Sequence, residues 1–188
     1  PTRRSSDLET SLRREPVAVV EYRHRPVPLT HAYFAPGLGT TDLVKMDAYF
    51  KEVSSLGPVD GSKGKAFPSP DHRELVDALG EEYLPLLFFA FSRRGCEAHA
   101  HDLAKSHNYL DEEEVGLVRE AVERHLWGRE LRTLGSVNQL AAIVERGIAY
   151  HHAGLLPACK ELVEELFERR LIKVLYATET FAVGVNFP

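Results

Sequence analysis

Three short segments of this chain of 188 residues concentrate groups that can hold phosphate or sugar. The first is Phe91-Ser92-Arg93-Arg94-Gly95, a hydroxyl and two guanidinium groups where an apolar run gives way to a helical pattern. Amides at a helix start, joined by arginines, form a phosphate-binding arrangement. The same spacing also fits a plain helix cap with solvated arginines. The second is His151-His152-Ala153-Gly154-Leu155-Leu156-Pro157, in which Gly154 permits close backbone approach and Pro157 pre-sets a first helical turn. The third runs from Ala177 through Thr178, Glu179 and Thr180 to Gly184, Asn186 and Pro188. Its hydroxyls suit phosphate oxygens and Asn186 suits a sugar hydroxyl, although a capped surface turn has the same composition.

Metal chemistry fits none of these segments. Adjacent histidines on a strand point in opposite directions, so His151 and His152 make a poor ligand pair. Cys96 and His99 can share a helix face, whereas His101 cannot join them. Neither set matches the usual zinc spacings.

The elements that must carry the three segments follow from periodicity. Residues 17–22 (V-A-V-V-E-Y) and 30–34 (T-H-A-Y-F) read as strands around the extended R-P-V-P-L, and residues 35–70 read as a loop or insertion with a short helix at about 42–53. A helix is expected over 71–82 with Asp71 as its cap. Residues 84–91 (L-P-L-L-F-F-A-F) read as a strand buried on both faces. Helices are expected at 94–106, at 111–126 with an acidic first turn, and at 136–146 with Ser136 as cap. A strand at 147–151, a helix at 158–169 and a strand at 173–177 complete the series. Strands alternating with helices imply an α/β fold: a parallel sheet, right-handed crossovers and helices on both faces. Ligands of such folds bind beyond the carboxyl ends of the strands, where all three segments lie.

Composition narrows the class. The formal net charge of −5 argues against a protein that coats nucleic acid through bulk positive charge, so any such contact must come from backbone amides and a few placed side chains. No apolar run approaches the roughly 20 residues that cross a bilayer. Two distant cysteines, Cys96 and Cys159, imply reduced thiols in a cytoplasmic protein rather than a disulfide framework. Residues 1–8 (P-T-R-R-S-S-D-L) show neither periodicity nor turn chemistry and read as a non-native or disordered leader.

Taken together, F-S-R-R-G-C-E, H-H-A-G-L-L-P and I-K-V-L-Y-A-T-E-T-F-A-V-G-V-N-F-P closely resemble the second RecA-like domain of superfamily 2 DExH-box helicases, of the superkiller or exosome-associated RNA helicase type. The strong similarity covers 84–188, and Arg25-Pro26-Val27-Pro28-Leu29-Thr30-His31 resembles the segment joining the two motor domains. The resemblance implies a three-layer α/β/α domain over 71–188 that stops before motif VI, preceded by an inter-domain segment and first strand over 9–34. It implies that Ser92, Arg93 and Arg94 (motif IV), His152 and Gly154, and Thr178 and Thr180 (motif V) meet the nucleic-acid backbone. Glu179, Gly184 and Asn186 would then face the nucleotide, so that motif V couples nucleotide state to grip. ATP with Mg2+, single-stranded or partly duplex RNA, a first RecA-like domain and an RNA-decay complex are the implied partners.

The chain departs from the family pattern in three places. It holds no G-x-x-x-x-G-K-[ST] loop, no D-E-x-H segment and no Q-x-x-G-R-A-G-R motif, so no ATP hydrolysis is expected from these residues alone. A repair-type DNA helicase, a non-catalytic nucleic-acid-binding module and a nucleotide-sugar transferase domain remain rival readings, the last lacking the A-T-E-T-F-A-V-G-V-N string.

Overall fold

The computed structural model describes residues 28–55, 70–127, 131–179 and 181. The leader, the strand expected at 17–22, and Thr180, Gly184 and Asn186 lie outside the described residues. The strand expected at 30–34 lies at β1 (Tyr33–Ala35), and it pairs antiparallel with β2 (Gly39–Thr41) inside the stretch expected to be loop or insertion. Gly37 and Gly39 turn it at φ 79° and 74°, where a side chain would clash with its own backbone. Helix α1 (Leu43–Ser55) follows, its first turn held by Lys45 N–H donating to Asp42 Oδ1 at 2.9 Å.

Helix α2 (His72–Leu79) is capped by Asp71, as its sequence implies, and stops at Gly80 with φ 73°. The last residues expected in that helix, 81–82, lie in a separate 3-10 turn, Glu81–Tyr83. Strand β3 (Leu86–Phe89), helix α3 (Arg93–Leu103) and helix α4 (Glu112–His125) come next. A reciprocal capping box opens α4: Asp111 Oδ1 accepts from Glu114 N–H at 2.8 Å, and Glu114 Oε2 accepts from Asp111 N–H at 3.2 Å. Helix α5 (Gly135–Val144), strand β4 (Ile148–His151), helix α6 (Pro157–Glu168) and strand β5 (Val174–Ala177) complete the domain. Ser136 does not cap α5. The N-cap position is Leu134, which offers no side-chain acceptor.

Among the described residues, β3, β5 and β4 pair in that order, all parallel. The central strand β5 and its neighbour β4 are buried throughout, as strands sandwiched between helical layers must be. The same burial was expected of β3, but β3 is only half-buried and Phe89 is 48% exposed. The physical reason is position: among the described residues β3 has a strand on one side only.

Alternation assigns the faces. Register partners Phe88, Tyr176 and Tyr150 share one face, with the Phe88 and Tyr176 rings 5.2 Å apart. Helix α3 covers them, His99 lying 5.8 Å from Tyr176 and His101 5.7 Å from Tyr150. Helix α2 adds His72, whose Nδ1 is 2.9 Å from the Tyr176 hydroxyl. On the other face His151 meets Glu164 of α6, and α6 in turn packs against α4 and α5. The result is the expected three-layer α/β/α, RecA-like arrangement. Among the described residues, no helix is long and apolar enough to cross a membrane.

Candidate nucleic-acid interface at the strand ends

Register brings the three chemistry-bearing segments together. Phe89, Ala177 and His151, the last residues of β3, β5 and β4, are mutual register partners, so the loops that follow leave the sheet at one level. The ladder extends into the loops: Ala90 N–H donates to Ala177 O at 2.8 Å, and Thr178 N–H donates to His151 O at 3.2 Å. Between the loops opens a cleft of about 410 Å³ lined by residues 89–93, Ala153, Thr178 and Glu179. That volume suits a small ligand or one unit of a polymer.

Each wall has a local cause. Ser92, in extended geometry, accepts from Gly95 N–H at 3.0 Å through Oγ and caps α3. Capping and ligand contact are compatible here, because a cap satisfies one of the four free amides of a helix start and leaves others facing outward. Arg93 and Arg94 are exposed, and among the described residues neither has a carboxylate within ion-pair distance. Arg73, Arg119, Arg124, Arg132 and Arg169, by contrast, all pair with Asp or Glu. Unpaired guanidiniums at a helix N-terminus, in a chain of net charge −5, are a local anion site.

The second segment builds the site from behind. His152 is buried and both ring nitrogens are engaged: Nδ1 accepts from Gly154 N–H at 3.1 Å, and Nε2 lies 2.9 Å from Glu97 Oε1. Acceptance at Nδ1 places the proton on Nε2, which donates to the carboxylate. The histidine therefore ties the loop to α3. Gly154 leaves room for the first segment, since a Cβ there would stand 3.1 Å from Arg93 Nη1 and 3.3 Å from Arg93 Cδ. The close approach that its sequence suggests is made by an arginine of the neighbouring loop.

His151 points the opposite way, as alternation requires. Its Nε2 is 2.9 Å from Glu164 Oε1 and its ring centroid 4.6 Å from that of buried Phe181. Burial pushes its pKa below the ordinary value, with Glu164 opposing the shift. Phe181 also donates its N–H to Thr178 O at 3.0 Å and packs against Phe167 of α6, fixing the start of the third segment. Glu179 stands exposed at the lip of the cleft.

The structure thus brings Ser92, Arg93, Thr178 and Glu179 around one cleft, with Arg94 beside it and Gly154 beneath Arg93, while His152 lies behind as a strut. Sequence reasoning passed over Glu97, Phe181 and the exposed ring of Phe91. Glu97 was findable as a lone carboxylate one turn into α3. Among the described residues no cluster of His, Cys, Asp or Glu can hold a metal ion, so the residues present do not fit a Mg2+ site.

Comparison with known proteins shows what the chain is similar to. The chain is 36% identical over 207 aligned residues to the DExH-box ATP-dependent RNA helicase DExH10 of Arabidopsis thaliana, covering 94% of this chain and 20% of that protein. Its homologues are DExH-box RNA helicases. The exosome RNA helicase MTR4 of Homo sapiens is 33% identical over 195 residues, 94% of this chain and 19% of that protein. The antiviral helicase SKI2 of Saccharomyces cerevisiae is 40% identical over 132 residues, 69% of this chain and 10% of that protein. The chain therefore spans about a fifth of the first two relatives and less of the third. No protein-family model matches it.

Proposed function

We propose that this chain is the second motor domain of an ATP-dependent RNA helicase and grips the backbone of single-stranded or partly duplex RNA at the strand-end cleft. The observation that carries the reading is the convergence of the unpaired Arg93, the capped start of α3 and Thr178 on one cleft, with Arg94 next in the chain, in a chain similar over nearly its whole length to RNA helicases. Arg93 and Arg94 supply charge to phosphates, free amides of the first turn of α3 supply directed donors, and Thr178 supplies a hydroxyl. These contacts follow the backbone and are indifferent to base identity. Glu97 and His152 act at one remove, holding the loop on which Arg93 rests.

ATP supplies the free energy, and Glu179, Gly184 and Asn186 are assigned to the nucleotide side of the third segment. The metal and the phosphate loop belong to a first RecA-like domain, because the residues here fit neither. Association with an RNA-decay assembly is assigned by analogy with the exosome RNA helicase MTR4. Both cysteines are free and buried, which fits the cytoplasmic placement we assign.

The test uses the intact protein that carries this chain. Arg93→Gln with Arg94→Gln should weaken RNA binding about tenfold or more, from lost charge-assisted hydrogen bonds. The same pair should flatten the dependence of affinity on salt by about one unit of slope per phosphate contact. Unchanged affinity and slope would remove the cleft from the strand path. Stronger stimulation of ATP hydrolysis by DNA than by RNA would replace RNA with DNA as the substrate.

A further inference from the structure

We infer that Phe91 is a stacking platform for one base of the bound strand, a contact additional to the backbone grip and resting on the reading of the cleft given above. Phe91 is 109% exposed, as accessible to solvent as in an extended peptide. The next most exposed large apolar side chain among the described residues is Val44 at 79%, on α1 and not among the residues lining the cleft. Phe91 lines the cleft, and the residues that follow it directly are the cap Ser92 and the unpaired Arg93. Among the described residues no aromatic ring lies in contact with it, so none of them covers its face.

A nucleotide unit presents two chemically distinct surfaces within a few ångströms of each other, a flat apolar base and an anionic phosphate. The cleft presents their counterparts on adjacent residues, a free aromatic face at Phe91 and a free cation at Arg93. Phe89, half-exposed on the same wall, extends the apolar floor. An apolar peptide would satisfy the ring and leave the two guanidiniums uncompensated. A bare anion would satisfy the guanidiniums and leave the ring in water. A base with its own phosphate satisfies both, and every base offers a π-face, so the contact adds affinity without sequence preference.

The experiment uses the intact protein and single-stranded RNA carrying one abasic site, moved through the bound segment position by position. Phe91→Leu keeps apolar bulk and removes the ring, and full exposure of the side chain protects the fold. On unmodified RNA, Phe91→Leu should lose about tenfold in affinity, and Phe91→Trp should retain it. At one position the abasic strand should bind the native protein as weakly as unmodified RNA binds Phe91→Leu, with no further loss when the two changes are combined. A 2-aminopurine at that position should be quenched by the native protein and not by Phe91→Leu. Independent, multiplying losses at every abasic position would overturn the proposal and assign the ring to packing against another part of the protein. A fall in ATP affinity with RNA affinity unchanged would overturn it as well, by placing the ring on the nucleotide. The underlying reading fails separately: the Arg93 and Arg94 variants would then leave RNA affinity and its salt dependence intact, whatever Phe91 does.

Discussion

Glu97 shows how a residue without any contact to the cleft sets its shape. The carboxylate accepts from His152 Nε2, the same imidazole receives Gly154 N–H, and Arg93 lies over Gly154. One hydrogen bond and one close approach thus connect α3 with the loop after β4, and a second hydrogen bond within the loop links them. Removing the acceptor leaves a buried N–H donor unsatisfied, which costs about 1–3 kcal/mol. Glu97→Ala should therefore lower the free energy of unfolding by about that amount in a urea titration, and RNA affinity should fall as the seat of Arg93 loosens. Glu97→Gln keeps a carbonyl acceptor and should stay near the native value in both measurements. Equal losses in the two variants would show that charge, rather than the hydrogen bond, holds the imidazole. At this scale the sequence was informative about chemistry and silent about direction. Histidines adjacent in sequence were legible as pointing apart, but which one faces α3 depends on which strand neighbours β4, and no local pattern carries that.

Elements were legible where their signals are local. Asp111 with Glu114 marks the start of α4, Asp71 that of α2, Pro157 that of α6, and each functions at or within a residue of its expected place. Three readings fell short for reasons of context. The run 84–91 is apolar enough for a strand covered on both faces, yet its flanking place among the described strands leaves Phe89 half in water. The hairpin at Tyr33–Thr41 was legible only in part: a strand was expected at 30–34, but its partner Gly39–Thr41 is three residues long, too short for alternation to register. Ser136 has the right chemistry for a cap, but α5 begins one residue earlier, at Gly135. That difference can be measured. Asp111→Ala breaks a capping box and should cost about 1 kcal/mol, whereas Ser136→Ala removes no cap and should stay within about 0.5 kcal/mol of the native protein. A loss at Ser136 matching that at Asp111 would move the start of α5 back to the position its sequence suggests.

In the whole molecule the function proposed above gives the third segment two ligands, and Phe181 bears on how one loop serves both. Thr178 and Thr180 precede this residue in the chain, while Gly184 and Asn186 follow it. Phe181 is buried against His151 and Phe167 and bonded to Thr178 O, so the segment is anchored at this residue, within the run to which the proposed function assigns both ligands. A pinned loop transmits a displacement from one side to the other, and a ligand shifts it only by binding its alternative positions unequally. In the intact protein Thr180→Ala should therefore depress RNA-stimulated ATP hydrolysis about tenfold, with strand displacement falling in parallel and basal hydrolysis much less affected. Asn186→Ala should lower hydrolysis with and without RNA to a similar degree. Phe181→Ala supplies the contrast: a buried ring cut to a methyl costs about 3–5 kcal/mol, so this variant should melt early and lose every activity by a common factor. Melting temperature, basal rate and RNA-stimulated rate, measured on all three variants, separate coupling from loosening. Should Thr180→Ala and Asn186→Ala both reproduce the Phe181→Ala pattern, the loop is a structural brace and nucleotide state reaches the strand by another route.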